Sequence, residues 1–185
     1  MEFPLSEKGR AQATLAGQAL ANKKLDAIYS SPLSRAFETA KIIAREVGFR
    51  GEVIPVTELM ERRGGLLEGT TQEEREARNP ELMKKFLSIP EEERWTLVGA
   101  ETDEEVLARF EVGISKIRER HGTGDRIAVV SHGGAMRAFL RDLFGPEMLS
   151  GDQRVPNTSI TSIEWSPDGS NSRLLALASI AHLPQ

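Results

Sequence analysis

AVVSHGGAMRAFL, residues 128–140, decides the fold. It continues an apolar run that begins at Arg126. RIAVVSH (126–132) therefore reads as a strand of the kind buried on both faces of a parallel sheet. Gly133 and Gly134 follow, and GGAMRAFLRDLFG reads as a helix ending at Gly145. The strand delivers His132 to a helix start. In open α/β sheets, ligands bind at the carboxyl ends of strands. A histidine at that position raises the question of where its chemical partner lies.

Strands and helices alternate outward from this junction. SEKGRAQATLAGQALANK (6–23) predicts a helix capped by Ser6. LDAIYSS (25–31) predicts a short strand, and Pro32 a helix through Glu46, because proline suits a first helical turn. EVIPVTEL (52–59) reads as a strand, and the Gly-rich, charged residues 60–70 as a loop. Residues 71–97 are helical and acidic, broken at Pro80 and Pro90. Thr102, with Glu105 three residues on, forms a capping box for a helix over 102–121. Residues 157–169 and 172–180 read as two strands joined by the turn Pro167-Asp168-Gly169. The expected class is α/β, with a three-layer, mainly parallel sheet flanked by helices and closed by an antiparallel pair. One domain over 1–185 is expected, with 71–121 as a helical, cap-like region.

Bulk properties narrow the function. The 185 residues are 39% hydrophobic and 28% charged, the balance of a soluble globular chain. A net charge of −4 argues against nucleic acid and membrane surfaces, which are themselves anionic. No apolar run reaches the roughly 18–20 residues of a membrane span. MEFPLSEKGR has no apolar core of a signal peptide. The absence of cysteine removes disulfides, thiolate zinc sites and cysteine nucleophiles, and fits a cytoplasmic setting. No metal-ligand cluster is visible, and no cofactor is expected.

Three groups are expected at strand ends: Ser30 to Arg35, Glu58 to Arg62, and Ser131 to Gly134. They offer a guanidinium, a carboxylic acid, an imidazole and helix N-terminal amides. That collection suits a phosphate monoester. Arginine binds phosphate oxygens bidentately, amides at a helix start favour an anion, and a carboxyl group can protonate a leaving alkoxide. Each residue also has a plainer reading. Arg35 suits a solvated helix turn, Glu61 an ion pair with Arg62 or Arg63, and His121 a helix C-terminus. His182 suits a residue that packs or caps the last strand. Asp103-Glu104-Glu105 and Glu91-Glu92-Glu93 suit acidic helix starts.

Taken together, the segments resemble the histidine phosphatase superfamily, the phosphoglycerate-mutase-like group. FPLSEKGRAQA (3–13), YSSPLSRAFETA (29–40), LMERRGGLLEGTT (59–71), GAETDEEVLARF (99–110), VVSHGG (129–134), NTSIT (157–161) and AHL (181–183) match its motifs in order. The resemblance implies that Arg35 clamps phosphate and that Glu61 donates a proton to the leaving group. It implies that His132, with the Gly133 amide, stabilises the transferring phosphoryl group. Ser131 and Asn157 are weaker candidates that would support these ligands from behind.

The family begins with a strand ending in Arg-His-Gly, whose histidine is the nucleophile. That tripeptide does not occur among the 185 residues, which hold three histidines. The missing strand would lie inside the sheet beside the strand of His132. Strands 25–30 and 126–131 are therefore expected to lack their usual neighbour. A truncated record is the preferred expectation; a shifted strand, or a homodimer formed by strand pairing between two chains, is the alternative. The function implied is phosphomonoester hydrolysis through a phosphohistidine on a small phosphorylated substrate, impaired here if the nucleophile is absent. Phosphatase is favoured over phosphoglycerate mutase because the stretch from Glu61 to Glu101 is short. A non-catalytic phosphate-ester-binding protein and a purely structural protein are the competing classes.

Overall fold

Ala27 and Tyr29 point to one face of β1 (Ala27–Ser30) and Ile28 to the other, and this alternation sets the layers. Ile28 meets Ala40 and Ala44 of α2 (Ser34–Glu46), with Ala128 and Val130 of β3 (Ile127–Val130) beside it. Tyr29 meets Val106, Phe110 and Ile117 of α6 (Asp103–Arg118), and Ala135, Ala138 and Phe139 of α7 (Gly133–Phe144) complete the cluster. The computed structural model describes residues 3–149 and 153–184 and is thus a three-layer α/β arrangement. α1 (Glu7–Leu20) lies on α2, with the Ser6 hydroxyl accepting from the Gly9 amide as its cap.

The parallel sheet has three strands, ordered β2-β1-β3, with β2 at Val53–Pro55. β1 pairs with β2 from Ile28↔Val53 to Ser30↔Pro55, and with β3 from Ala27↔Ile127 to Ser30↔Val130. The expectation that residues 25–30 lose a neighbour is corrected here. β1 is hydrogen-bonded on both sides and all four of its residues are buried. β2 and β3 each keep an edge that no strand joins among the described residues, and the four residues of β3 are half-buried. β4 (Ile160–Trp165) and β5 (Ser172–Ser179) form a separate antiparallel pair, as their turn signal predicts. Ile163 and Leu177 pack it against Leu140, Leu149 and Val155.

Several boundaries move. The second helix starts at Ser34, with Pro32 and Leu33 before it and Leu33 extended. β2 ends at Pro55, and residues 57–59 close into a 3-10 turn that buries Leu59 completely. The Val56 amide still donates to the Ser30 carbonyl at 2.8 Å, and the expected strand over 52–59 ends there because the chain turns to bury Leu59. Pro80 and Pro90 do break the acidic stretch, giving α3 (Gln72–Arg78), α4 (Pro80–Ser88) and α5 (Glu91–Leu97). Met83, Phe86, Val98 and Ala100 form their own small core, apart from the sheet. α6, with the expected Thr102–Glu105 capping box, belongs instead to the sheet's core.

Candidate active site

The site forms where β1 and β3 end side by side. The Ser31 amide donates to the Val130 carbonyl at 2.9 Å, so parallel pairing carries Ser31 level with the end of β3. His132 follows as the N-cap of α7 in an extended conformation. Its Nε2 lies 2.8 Å from Ser31 Oγ, a residue 101 positions earlier in the chain. Ser31 Oγ also accepts from the Leu33 amide at 3.3 Å.

His132 is 6% exposed. Burial, and then the charges of Arg35 and Arg109, push its pKa down to about 3. The imidazole is therefore neutral at ordinary pH. Arg35 stands in the first turn of α2, and its carbonyl accepts from the Thr39 hydroxyl at 2.8 Å.

Glu61 is brought to the same place from a segment that is neither helix nor strand. Its Oε1 accepts from the Ala135 amide at 3.0 Å and from the Arg62 amide at 2.9 Å. Its Oε2 accepts from the Gly134 amide at 3.3 Å. The carboxylate thus caps the N-terminus of α7, where the helix dipole favours an anion. Of the two amides expected to await a phosphate, Gly134's is engaged by the protein's own carboxylate. A Cβ on Gly134 would stand 2.8 Å from Glu61 Oε1, so glycine leaves the room that this cap needs. Gly133 fits closely against the chain at Val155, whose carbonyl would lie 3.3 Å from an added Cβ.

Ser131 ties the two halves together: its Oγ donates to the Leu59 carbonyl at 2.8 Å, two residues before Glu61. Asn157 sits exposed in the turn before β4, its carbonyl accepting from Thr158. Among the described residues no hydrogen bond runs from its side chain to Arg35, Glu61 or His132. His121 lies at the end of α6, bonded to Tyr29 Oη at 2.9 Å and Asp125 at 3.1 Å. Among the described residues, no group of three or more metal-ligating side chains gathers.

Three participants carry no assignment from the sequence: Ser31, Glu101 and Arg109. Ser31 stands in the SSPL segment, where the parallel register would have shown it facing His132. Glu101 and Arg109 lie in GAETDEEVLARF, eight residues apart. Glu101 is 5% exposed and takes Arg109 as a bidentate partner at 3.0 and 2.9 Å. Burial works against its charge, but Arg109 and the Arg63 amide outweigh that cost and hold its carboxyl below the ordinary range.

The model of the histidine phosphatase superfamily (branch 1) matches residues 1–177. This chain belongs to that superfamily. The chain is 34% identical over 146 residues to phosphoglycerate mutase-like protein 4 of Arabidopsis thaliana, covering 75% of this chain and 60% of that one. It is 34% identical over 144 residues to phosphoserine phosphatase 1 of Hydrogenobacter thermophilus, covering 78% and 66%. It matches the metal-independent phosphoserine phosphatase of A. thaliana at 34%, covering 75% and 58%. It therefore spans about three-fifths of the length of these curated relatives. Among solved structures, Bacillus stearothermophilus YhfR superposes with a TM-score of 0.80 at 27% identity, covering 98% of this chain and 87% of that one. Bacillus anthracis phosphoglycerate mutase reaches 0.82 at 24% identity, covering 98% and 84%, which shows the shared fold.

Proposed function

We propose that this chain acts in phosphomonoester hydrolysis by the histidine phosphatase route. The observation that carries the reading is the convergence of the Glu61 carboxylate, the α7 N-terminus and His132 at one sheet end. Arg35, His132 and the Gly133 amide hold the phosphoryl oxygens, and Glu61 hands a proton to the leaving oxygen. Donors fixed in advance around developing charge lower a phosphoryl-transfer barrier without reorganising. Ser131 supports the site by holding Leu59, and Asn157 stands at its margin. The phosphohistidine forms on an Arg-His-Gly strand, which these 185 residues do not contain.

The substrate class is a small alkyl phosphate, in line with the two relatives named phosphoserine phosphatases. The short helices α3 to α5 between Glu61 and Glu101 favour a phosphatase over a mutase. The reading includes a cytoplasmic setting, no nucleic-acid partner, and a homodimer paired through the free edge of β3. No helix among the described residues is long and apolar enough to cross a membrane.

The test has two arms: this chain, and this chain extended at its N-terminus by a strand ending in Arg-His-Gly. Each is assayed on O-phosphoserine and p-nitrophenyl phosphate from about pH 5 to 8, beside Arg35→Ala and His132→Ala. Turnover in the extended arm that both substitutions abolish is expected. Inorganic phosphate is expected to raise the melting temperature of both arms, because a ligand of the folded state stabilises it. Absence of turnover and of phosphate stabilisation in both arms overturns the reading. Phosphate stabilisation without turnover makes this a phosphate-ester-binding protein.

A further inference from the structure

Glu61 lies in a stretch, residues 60–64, with no helix or strand of its own. A segment with no internal ladder takes its shape from groups outside it. Here those groups converge on one side chain. Arg109 Nη1 donates to the Glu58 carbonyl at 2.8 Å and to the Met60 carbonyl at 2.7 Å. Its Nε and Nη2 hold both oxygens of Glu101. Glu101 in turn accepts from the Arg63 amide at 2.8 Å, and its own amide donates to the Arg63 carbonyl at 2.9 Å. The chain is thus gripped at 58 and 60 before Glu61, and at 63 after it.

Neighbouring contacts brace the same stretch. The Arg62 guanidinium stacks on the Trp95 ring at 4.2 Å and pairs with Asp103. Lys116 pairs with Glu58, and hydrogen bonding from Lys116 holds the Glu58 carboxyl below its ordinary range. Each of these fixes one residue. Among the described residues, Arg109 alone reaches the backbone on one side of Glu61 directly and on the other side through Glu101.

We infer that Arg109, acting through Glu101, is the positioning residue that aims the Glu61 carboxyl at the leaving-group oxygen. The inference rests on the proposed phosphatase reading. Arg109 uses the fixed fork of a guanidinium, with two carbonyls on one nitrogen and a bidentate carboxylate on the other two. A lysine ammonium carries the same charge but cannot span both sets of acceptors. Arg109 touches no reacting atom in this role. A lysine in its place keeps the charge that His132 feels and would act on the steps that need a proton from Glu61.

Leaving-group chemistry separates this role from a general structural one. The alkoxide of phosphoserine leaves poorly unless protonated, whereas p-nitrophenolate departs without help. Arg109→Lys is measured on both esters in whichever arm of the preceding assay turns over, with the melting temperature recorded. Displacing a catalytic group by about 1 Å costs on the order of 100-fold. The expected result is a fall of about 30-fold or more in kcat/KM on phosphoserine, with kcat/KM on p-nitrophenyl phosphate within about 3-fold of the parent, because kcat/KM reports the step in which the leaving group departs. Glu101→Gln, which keeps one acceptor for the fork, is expected to show the same split at smaller size. Equal losses on the two esters, or no loss on either, overturn the positioning role and leave the phosphatase reading standing. If neither arm turns over either ester, the phosphatase reading falls and the positioning role falls with it.

Discussion

His132 Nε2 and Ser31 Oγ meet at 2.8 Å across the ends of two parallel strands, 101 residues apart in the chain. Ser31 is fully buried, so removing its hydroxyl takes from a buried ring nitrogen the partner it has among the described residues. Ser31→Ala is expected to cost about 1–3 kcal/mol of stability. It should also lower turnover about 10-fold, by freeing the imidazole to rotate. Urea titration and steady-state kinetics on the same variant check both.

Burial of His132 makes folding depend on pH. Its pKa is about 3 when folded, against an ordinary value of 6.5. A depressed pKa means that the unfolded chain takes up the proton first as pH falls. The stability from keeping His132 neutral is complete above about pH 6.5 and drains away toward pH 3. Between pH 7 and 5 the loss is about 2 kcal/mol from this residue. His132→Asn is expected to flatten the stability profile by that amount over the same range. Identical pH slopes for parent and variant in denaturant titrations would show that the imidazole is not desolvated.

Gly134→Ala isolates the position of Glu61. The added methyl would meet Glu61 Oε1 at 2.8 Å, and the movable end of a side chain can yield where backbone cannot. Alanine also favours a helix over glycine by about 1 kcal/mol. Thermal stability is expected to hold or rise slightly, while turnover of phosphoserine falls about 10-fold or more. A variant as active as the parent would mean that Glu61 need not sit on the α7 N-terminus.

Arg118 fastens the hairpin. Its guanidinium lies 4.0 Å from the centre of the Trp165 ring and donates to the Gly169 carbonyl at 2.9 Å. β4 and β5 pair only with each other among the described residues, so side chains alone dock them on the rest of the molecule. Arg118→Met keeps much of the bulk and loses the charge and the hydrogen bond. A cost of about 1–2 kcal/mol is expected. Faster amide exchange confined to residues 160–179 would be the accompanying signature.

The order of elements was legible because each depends on near neighbours. The Thr102–Glu105 capping box, the prolines at 80 and 90, and the turn at Asp168 act within a few residues, and each stands as expected. The expected strand over 52–59 failed because the burial of Leu59 is a tertiary event, and a 3-10 turn delivers it. The expectation that residues 25–30 lose a strand neighbour failed for a similar reason. Which strand lies next to which is set by how the layers close, and β1 lies between β2 and β3.

By itself, the sequence determined the α/β class, the placing of His132 at a helix start, and the family through its ordered segments. Those properties are carried by residue spacing along one strand or one helical turn. The tertiary structure alone decided that Glu61 caps α7 across 73 and 74 residues of chain. It also decided that Ser31 answers His132, and that Arg109 holds the backbone on which Glu61 rides. A carboxylate finds amides, and an imidazole its hydroxyl, only after the core has closed. Burial then removes the water that would otherwise satisfy them, and each polar group must take the partner that packing places beside it.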